Sequence, residues 1–98
     1  MRKEDMDTSR KWAFLSEMER EIGEIDTRLE ELRTRAQRGH LDTGQRVAQL
    51  EAARRELGLV NQSVENASAV SWTAMGVMLQ ERIEELKSDV MREEHVLR

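Results

Sequence analysis

The sequence contains no cysteine, no proline and no tyrosine, and it has one phenylalanine among its 98 residues. Without cysteine, the chain has neither disulfides nor thiolate metal ligands. Without proline, no position carries the residue that most strongly interrupts a helix. The apolar content therefore comes from Leu, Met, Val, Ile and Ala, which together with many charged residues is typical of long helices and coiled coils.

A concentration of charge of one sign is also missing. The chain has 16 basic and 20 acidic side chains, a net charge of −4, and no run of Lys and Arg. Nucleic-acid-binding proteins cluster their basic residues, so we expect no nucleic-acid partner. The N-terminal stretch turns acidic without an apolar run behind it, which argues against a cleavable secretory signal. The uncharged stretch 66–80 is too short and too polar to span a bilayer.

Apolar residues recur at alternating steps of three and four in the first third of the chain. This heptad spacing predicts a helix whose single apolar stripe packs on a partner helix. Asp7 or Thr8 is expected to cap it, which places helix 1 at about 8–38. The stripe comprises Leu15, Met18, Ile22, Ile25, Leu29, Leu32 and Ala36. Acid–base pairs in the favourable order lie at Asp7–Lys11, Glu24–Arg28 and Glu31–Arg35.

The stretch RGHLDTGQ, at 38–45, is the clearest interruption of the helical pattern. Gly39 suits the left-handed residue that ends many helices. Asp42, followed three residues later by Gln45, resembles a capping box at the start of the next helix. A turn as short as 39–43 makes the two flanking helices antiparallel neighbours.

The second half of the chain is compatible with two all-α folds. Its apolar rhythm runs to residue 97 and slips by one position after Met78, as a stutter in a coiled coil does. Because the rhythm is continuous, we prefer an antiparallel helical hairpin, or coiled coil, with one long second helix over about 43–97. The alternative is a bend at 61–70, which gives a monomeric three-helix bundle in a single domain. Poor helix formers in this region are Gly58, Asn61, Asn66, Ser68 and Gly76.

The long-helix fold predicts a homodimer or a higher oligomer. Helix 1 would leave residues 76–97 projecting by about 33 Å. Apolar side chains there would each forgo about 1.5–3 kcal/mol of burial, unless a second copy covers them. Residues 57–80 contain one ionic side chain, Glu65, and interface cores are depleted of charge. The predicted oligomer interface comprises Trp72, Met75, Met78, Leu79, Ile83, Leu86 and Val90.

No pattern in the sequence indicates a catalytic, cofactor or metal site. His40 lies in the predicted turn, and His95 follows Glu93 and Glu94. A carboxylate metal site in a helical bundle needs Glu and His three residues apart, but Arg92 occupies that position. A narrow helical seam also offers no partly dry pocket for general acid–base catalysis. We therefore expect no enzyme activity, no cofactor and no metal.

The two tryptophans leave alternative functions open. Trp12 and Trp72 are either recognition or membrane-interface residues or, as we prefer, large side chains that fill gaps between helices. Residues 69–90 form an amphipathic stretch, so a lipid-surface binder is one alternative. Membrane-surface helices carry Lys and Arg on their polar face, whereas this face is acidic, which disfavours a membrane partner. An adaptor for another protein is a further alternative.

The chain has two charged helical arms, EIDTRLEELRTRAQ and AQLEAARREL, and a tryptophan-containing ending that follows them. In these features it resembles a family of small bacterial coiled-coil proteins associated with stress responses. The family ending reads Ala-Trp-x-x-Leu-Lys-x-Gly-Val-x-x-Ala-Trp-x-x-Leu-Lys. Ile83 stands in place of its second Trp, and Met78 in place of its Gly. The resemblance implies a cytoplasmic, non-enzymatic, stress-related protein that acts through protein–protein interaction. Matching positions are Trp72, Met75, Leu86 and Lys87.

Overall fold

The computed structural model describes the backbone of residues 3–38, 41–68 and 70–96, and the side chains of 8–38, 43–68 and 70–96. These residues form three α-helices: α1 (Lys3–Ala36), α2 (Leu41–Asn66) and α3 (Trp72–Val96). The all-α prediction is confirmed. Of the two folds compatible with the sequence, the chain adopts the one with three helices, so the preferred continuous helix over 43–97 is corrected.

The break between α2 and α3 is stabilised by a serine that caps α3. The Ser71 amide donates to Ser68 Oγ at 3.1 Å, and the Trp72 amide donates to the Ser68 carbonyl at 3.2 Å. A serine that accepts from an amide three residues ahead is a typical helix N-cap. The poor helix formers noted in this region therefore end one helix and begin the next.

A lysine from α1 completes the end of α2. The Lys11 ammonium donates to the Glu65 carbonyl at 2.6 Å and to the Ala67 carbonyl at 2.8 Å. The last carbonyls of a helix have no partner within the helix and lie at the negative end of its dipole. A buried cation there satisfies them, and it ties the α2–α3 turn to α1.

The helices form a narrow bundle in which α1 is longer than its neighbours. The bundle measures 56 × 16 × 15 Å, and the 34 residues of α1 alone span about 51 Å. Because Lys11 contacts the end of α2, residues 3–10 extend about 12 Å past the α2–α3 turn. We call them the α1 extension. Since α1 begins at Lys3, Asp7 and Thr8 lie inside the helix and do not cap it as expected.

The first connection is short, as the sequence indicates. The Gln37 amide still bonds to the Arg33 carbonyl at 3.1 Å, α1 ends at Ala36, and α2 begins at Leu41. Both turns therefore reverse the chain, so that α1 and α3 run in the same direction and α2 runs against them. Several predictions concern residues or side chains outside the described part: Gly39, His40, the side chains of Asp7 and Asp42, and Leu97.

The core is a single apolar seam to which all three helices contribute. Each apolar position of the α1 stripe from Leu15 to Leu32 is buried. Burying a large aliphatic side chain contributes about 1.5–3 kcal/mol, so the seam is the main stabilising feature of the fold. Its members are Leu15, Met18, Ile22, Ile25, Leu29, Leu32, Val47, Leu57, Val64, Leu79, Ile83, Leu86 and Val90.

Ion pairs flank the seam between every pair of helices. Arg28, for example, was expected to pair within α1 with Glu24, but it reaches Glu94 of α3, while Glu24 pairs with Arg20. Long side chains beside the apolar stripe thus bridge to the neighbouring helix. The cross-helix pairs are Arg33–Glu51 and Arg54–Asp26 between α1 and α2, Lys87–Glu21 and Arg28–Glu94 between α1 and α3, and Arg46–Glu93 and Arg82–Glu56 between α2 and α3.

Candidate interaction surface

Four of the residues predicted at an oligomer interface lie in the core of their own chain. Leu79, Ile83, Leu86 and Val90 expose between 0% and 3% of their surface. The prediction assumed that this apolar edge projects beyond the first helix. Because α3 folds back, α1 and α2 of the same chain already cover the edge, and these four residues need no second copy.

Trp72 is a packing residue, as preferred from the sequence. It is half-buried, and its ring lies 5.5 Å from the ring of Phe14, centroid to centroid, at an angle of 42°. Gly76, one turn later in α3, makes room for this pair, because a Cβ there would lie 3.2 Å from a Phe14 ring carbon. Trp12 differs from that expectation: its ring is exposed, and the Lys11 ammonium lies 5.5 Å from the ring centroid.

The remaining two predicted residues, Met75 and Met78, are exposed, and so is Leu59 on the neighbouring helix α2. Their exposed fractions are 39% for Met75, 46% for Met78 and 66% for Leu59. Glu56 and Arg82 pair across the two helices. Because α2 and α3 are antiparallel, the residues one helical turn after Glu56 lie level with the residues one helical turn before Arg82. Both sets therefore line the same groove between the two helices. We call the surface formed by Leu59, Met75 and Met78 the α2–α3 apolar groove.

The groove lies in the part of the chain that has almost no charge. Residues 57–80 include one ionic side chain, Glu65, whose carboxylate accepts from the Asn61 amide at 3.3 Å. The fold places the two halves of this stretch side by side, at the end of α2 and the start of α3. A neutral run of sequence therefore becomes a neutral α2–α3 face at this end of the bundle, although α1 brings charges such as Lys11 to the same end. We call this end, after its α2–α3 face, the uncharged end. Val70, in the turn, is 82% exposed there.

The opposite half of the bundle is rich in ion pairs, and these are structural. The carboxylate of the buried Glu93 accepts from Arg46 at 2.7 Å. On the surface of α1 nearer to the uncharged end, the hydrogen bond from Arg20 holds the pKa of the Glu17 carboxyl below its usual value. The hydrogen bond to Glu51 raises the pKa of the Arg33 guanidinium. Each of these charges is paired with an opposite charge, so none of them is poised for proton transfer.

Other classes of site find no support in the described residues. That part of the chain holds no group of three or more His, Asp and Glu side chains placed to bind a metal ion. His95 is exposed near the end of α3, in a shallow groove with Arg28 and Arg35, where two cations disfavour a metal. None of the described helices combines the length and the apolarity that crossing a membrane requires.

Sequence reasoning missed three residues at the uncharged end. Leu59 lies off the apolar stripe of α2. The sequence feature that could have identified it is an apolar residue at an outward-facing position within a neutral segment. Lys11 was expected to pair along α1, and its role as a cap depends on where α2 ends. Asn61 Oδ1 is buried without a hydrogen-bond partner, and nothing in the sequence indicates that.

Comparison of the chain with models of known protein families, with curated proteins and with solved structures gives no match. Membership of the stress-associated coiled-coil family therefore stays a prediction. The function has to be argued from the surface of the bundle and from the chemistry of the residues exposed there.

Proposed function

We propose that the protein is a non-enzymatic helical interaction module that self-associates through its uncharged end. In this proposal the α2–α3 apolar groove of one copy packs against the same groove of a second copy. The observation that carries the proposal is the exposure of Leu59, Met75 and Met78 in a stretch, 57–80, whose one ionic side chain is Glu65. Interface cores are depleted of charged residues and enriched in methionine, and contiguous apolar patches mark interaction sites.

A second copy suits this surface better than a charged partner does. A neutral face has no charge with which to select an acidic or a basic protein. A two-fold axis instead places the same patch on both sides of the contact, so the patch has to fit itself. Its large side chains alternate with small ones one turn away on the same faces, which lets two copies interdigitate. The small residues are Ser63, Ser71 and Ala74.

The size of the surface predicts a transient contact. The segments 57–66 and 72–80 are each about 15 Å long, and two helices side by side are about 20 Å wide. The footprint is therefore on the order of 300 Å² per copy, compared with roughly 800 Å² per partner in a stable complex. We propose an association that depends on protein concentration in the micromolar to millimolar range.

Sedimentation or light scattering from about 10 μM to 1 mM tests this proposal. We expect the mass of the wild type to rise from 11.4 kDa towards twice that value. Met78→Glu places a charge in the contact and, in a sample that has never been unfolded, should hold the mass at that of one chain. Val77→Glu is the matched control, because Val77 is an equally apolar, exposed neighbour on α3 that points away from the groove. A wild type that remains a single chain at 1 mM, or a Val77→Glu variant that dissociates equally, would contradict the proposal.

The lipid-surface alternative relied on the apolar stripe of residues 69–90, and most of that stripe is not available at the surface. That stripe includes Leu79, Ile83 and Leu86, all of which are buried inside the bundle. Lipid binding by residues 69–90 would require α3 to leave its own core. Titration with neutral and anionic vesicles, followed by tryptophan fluorescence, separates the two functions, because Trp72 lies within the stretch concerned and would report its insertion as a blue shift. We expect no shift.

A further inference from the structure

We propose that two copies of the chain can also exchange α3. In the exchanged dimer the α2–α3 turn straightens, α2 and α3 become one continuous helix, and α3 of each copy packs on α1 and α2 of the other. This inference goes beyond the proposed function, because it rests on the turn and the core and not on the exposed groove. It would give a stable dimer, in contrast to the transient contact of two intact bundles.

The sequence of the turn is compatible with a helix. Between Asn66 and Trp72 there is neither glycine nor proline, and no described residue has a positive φ. No described residue of the turn therefore holds a conformation that a helix would forbid. The three-and-four spacing also continues through the turn, from Val64 through Ala67 to Ala74, with the polar Ser71 as a gap in the apolar series.

Few contacts keep the turn closed. Among the described residues they are the two bonds from Lys11 to the carbonyls of Glu65 and Ala67, and the bonds that the Ser71 and Trp72 amides make to Ser68. A bond between the Ser68 and Ser71 hydroxyls at 2.8 Å and one from the Ala67 amide to the Val64 carbonyl add to them. Straightening loses these contacts and replaces them with helical hydrogen bonds along the same residues. The difference in free energy between the bent and the straight turn is therefore small compared with the free energy that α3 gains from its contacts with the core.

The contacts of α3 can be restored between copies. A two-fold axis through the straightened turn places α3 of one copy along α2 of the other in the antiparallel direction that the single chain already uses. Leu79, Ile83 and Val90 then enter an identical core. Lys87 can again meet a Glu21, and Glu93 an Arg46, each from the other chain. Exchange of an identical element is a low-cost route to a dimer for this reason.

The α1 extension sets the main cost of exchange. It reaches about 12 Å past the turn, so the extensions of the two copies meet over the junction and have to lie side by side. Residues 3–10 are mostly polar in sequence, and displacing them from their present course buries no charge. A single chain is therefore favoured at low concentration, and the exchanged dimer is favoured when chains fold together at high concentration.

Refolding from guanidinium at about 1 mM and at about 10 μM, followed by sizing with light scattering, tests the inference. We expect a dimer from the concentrated sample that persists on dilution for hours, because separation requires α3 to leave the core. Val70→Pro should lower the dimerisation constant at least 100-fold, because proline inside the continuous helix removes a bond and clashes with the preceding turn. Val70→Ala, at the same exposed position, should not lower it.

A variant that weakens the bend supplies the opposite test. Ser68→Ala removes the cap from the α2–α3 turn of each of the two chains, and each lost cap changes the balance roughly fivefold, so the dimerisation constant should rise about 25-fold. Met78→Glu should leave this dimer intact although it abolishes pairing through the groove, which separates the failure of one proposal from that of the other. Absence of a persistent dimer in both the wild type and Ser68→Ala would overturn the inference.

Distance measurement identifies the exchanged arrangement directly. The chain has no cysteine, so Gln49→Cys with Ser88→Cys provides two unique, exposed sites for spin labels. The two sites lie side by side in the closed chain, level with the Arg46–Glu93 and Arg82–Glu56 pairs. In a continuous helix they would be about 58 Å apart. A tenfold excess of unlabelled chain ensures that both labels of a dimer belong to the same chain. A dimer in which the labels are about 58 Å apart supports exchange, and a dimer in which they stay side by side refutes it.

Discussion

Replacing Gly76 and Gly23 by alanine, one at a time, tests the packing of α3 on α1. Both glycines lie inside helices, where alanine is favoured over glycine by about 1 kcal/mol. A Cβ at Gly23 meets nothing within 4 Å, whereas a Cβ at Gly76 lies 3.2 and 3.3 Å from two ring carbons of Phe14. The Phe14 ring would have to move by a few tenths of an ångström, and Trp72 Cε3, 3.4 Å from the same Cβ, also crowds the site. Overpacking of this kind costs about 1–3 kcal/mol.

Gly23→Ala should therefore raise the free energy of unfolding by about 1 kcal/mol, which corresponds to about 4–8 °C in Tm for a chain of this size. Gly76→Ala should leave stability unchanged or lower it by as much as about 2 kcal/mol. Urea unfolding followed by circular dichroism measures both values. Adding Phe14→Leu to Gly76→Ala should recover part of the loss, as a double-mutant cycle would show. Equal stabilisation by the two glycine replacements would refute the contact between Phe14 and α3.

Three further expectations concern polar groups. Lys11→Met should lower the free energy of unfolding by about 2–3 kcal/mol, because two carbonyls lose a charged donor, and hydrogen exchange should rise selectively near the α2–α3 turn. Arg46→Met should cost about 2 kcal/mol in urea unfolding by leaving the buried Glu93 carboxylate unpaired, and adding Glu93→Leu should restore most of it. The lowered pKa of Glu17 gives stability that is present above the usual value of 4.5 and is lost as the pH falls through the lower folded value. Thermal unfolding at falling pH should show this acid loss, and Glu17→Gln, which cannot titrate, should reduce it.

The helical class and the inward face of each helix were readable from the sequence, whereas the course of the chain was not. The three-and-four rhythm says which side of a helix is buried, but it does not say which partner buries it. Leu79 and Ile83 therefore fitted a second copy as well as their own chain. The signal for the fold-back was the phase slip after Met78 together with Asn66 and Ser68, whose side chains favour helix ends. Those features also fit a stutter, so the sequence did not decide between the two.

The candidate surface was predictable in part for a similar reason. Met75 and Met78 were expected at a contact and are exposed, because the neutral stretch does not contain enough core positions to bury both. Leu59 was missed because it joins them only once α2 and α3 lie side by side. The role of Lys11 depends on where a helix distant in sequence happens to end, and no local pattern encodes that.

The cross-helix ion pairs select one of two mirror-image arrangements of the bundle. A third helix can lie on either side of an antiparallel pair, and an apolar seam accepts both hands almost equally. In this chain the charges on the two flanks of α1 differ: Glu21 and Arg28 match partners on α3, whereas Asp26 and Arg33 match partners on α2. If α3 lay on the other side of the α1–α2 pair, the ion pairs that α1 makes with α3 would be broken. We therefore expect these surface charges, each worth little alone, to favour together one handedness of a fold whose stability comes from its aliphatic core.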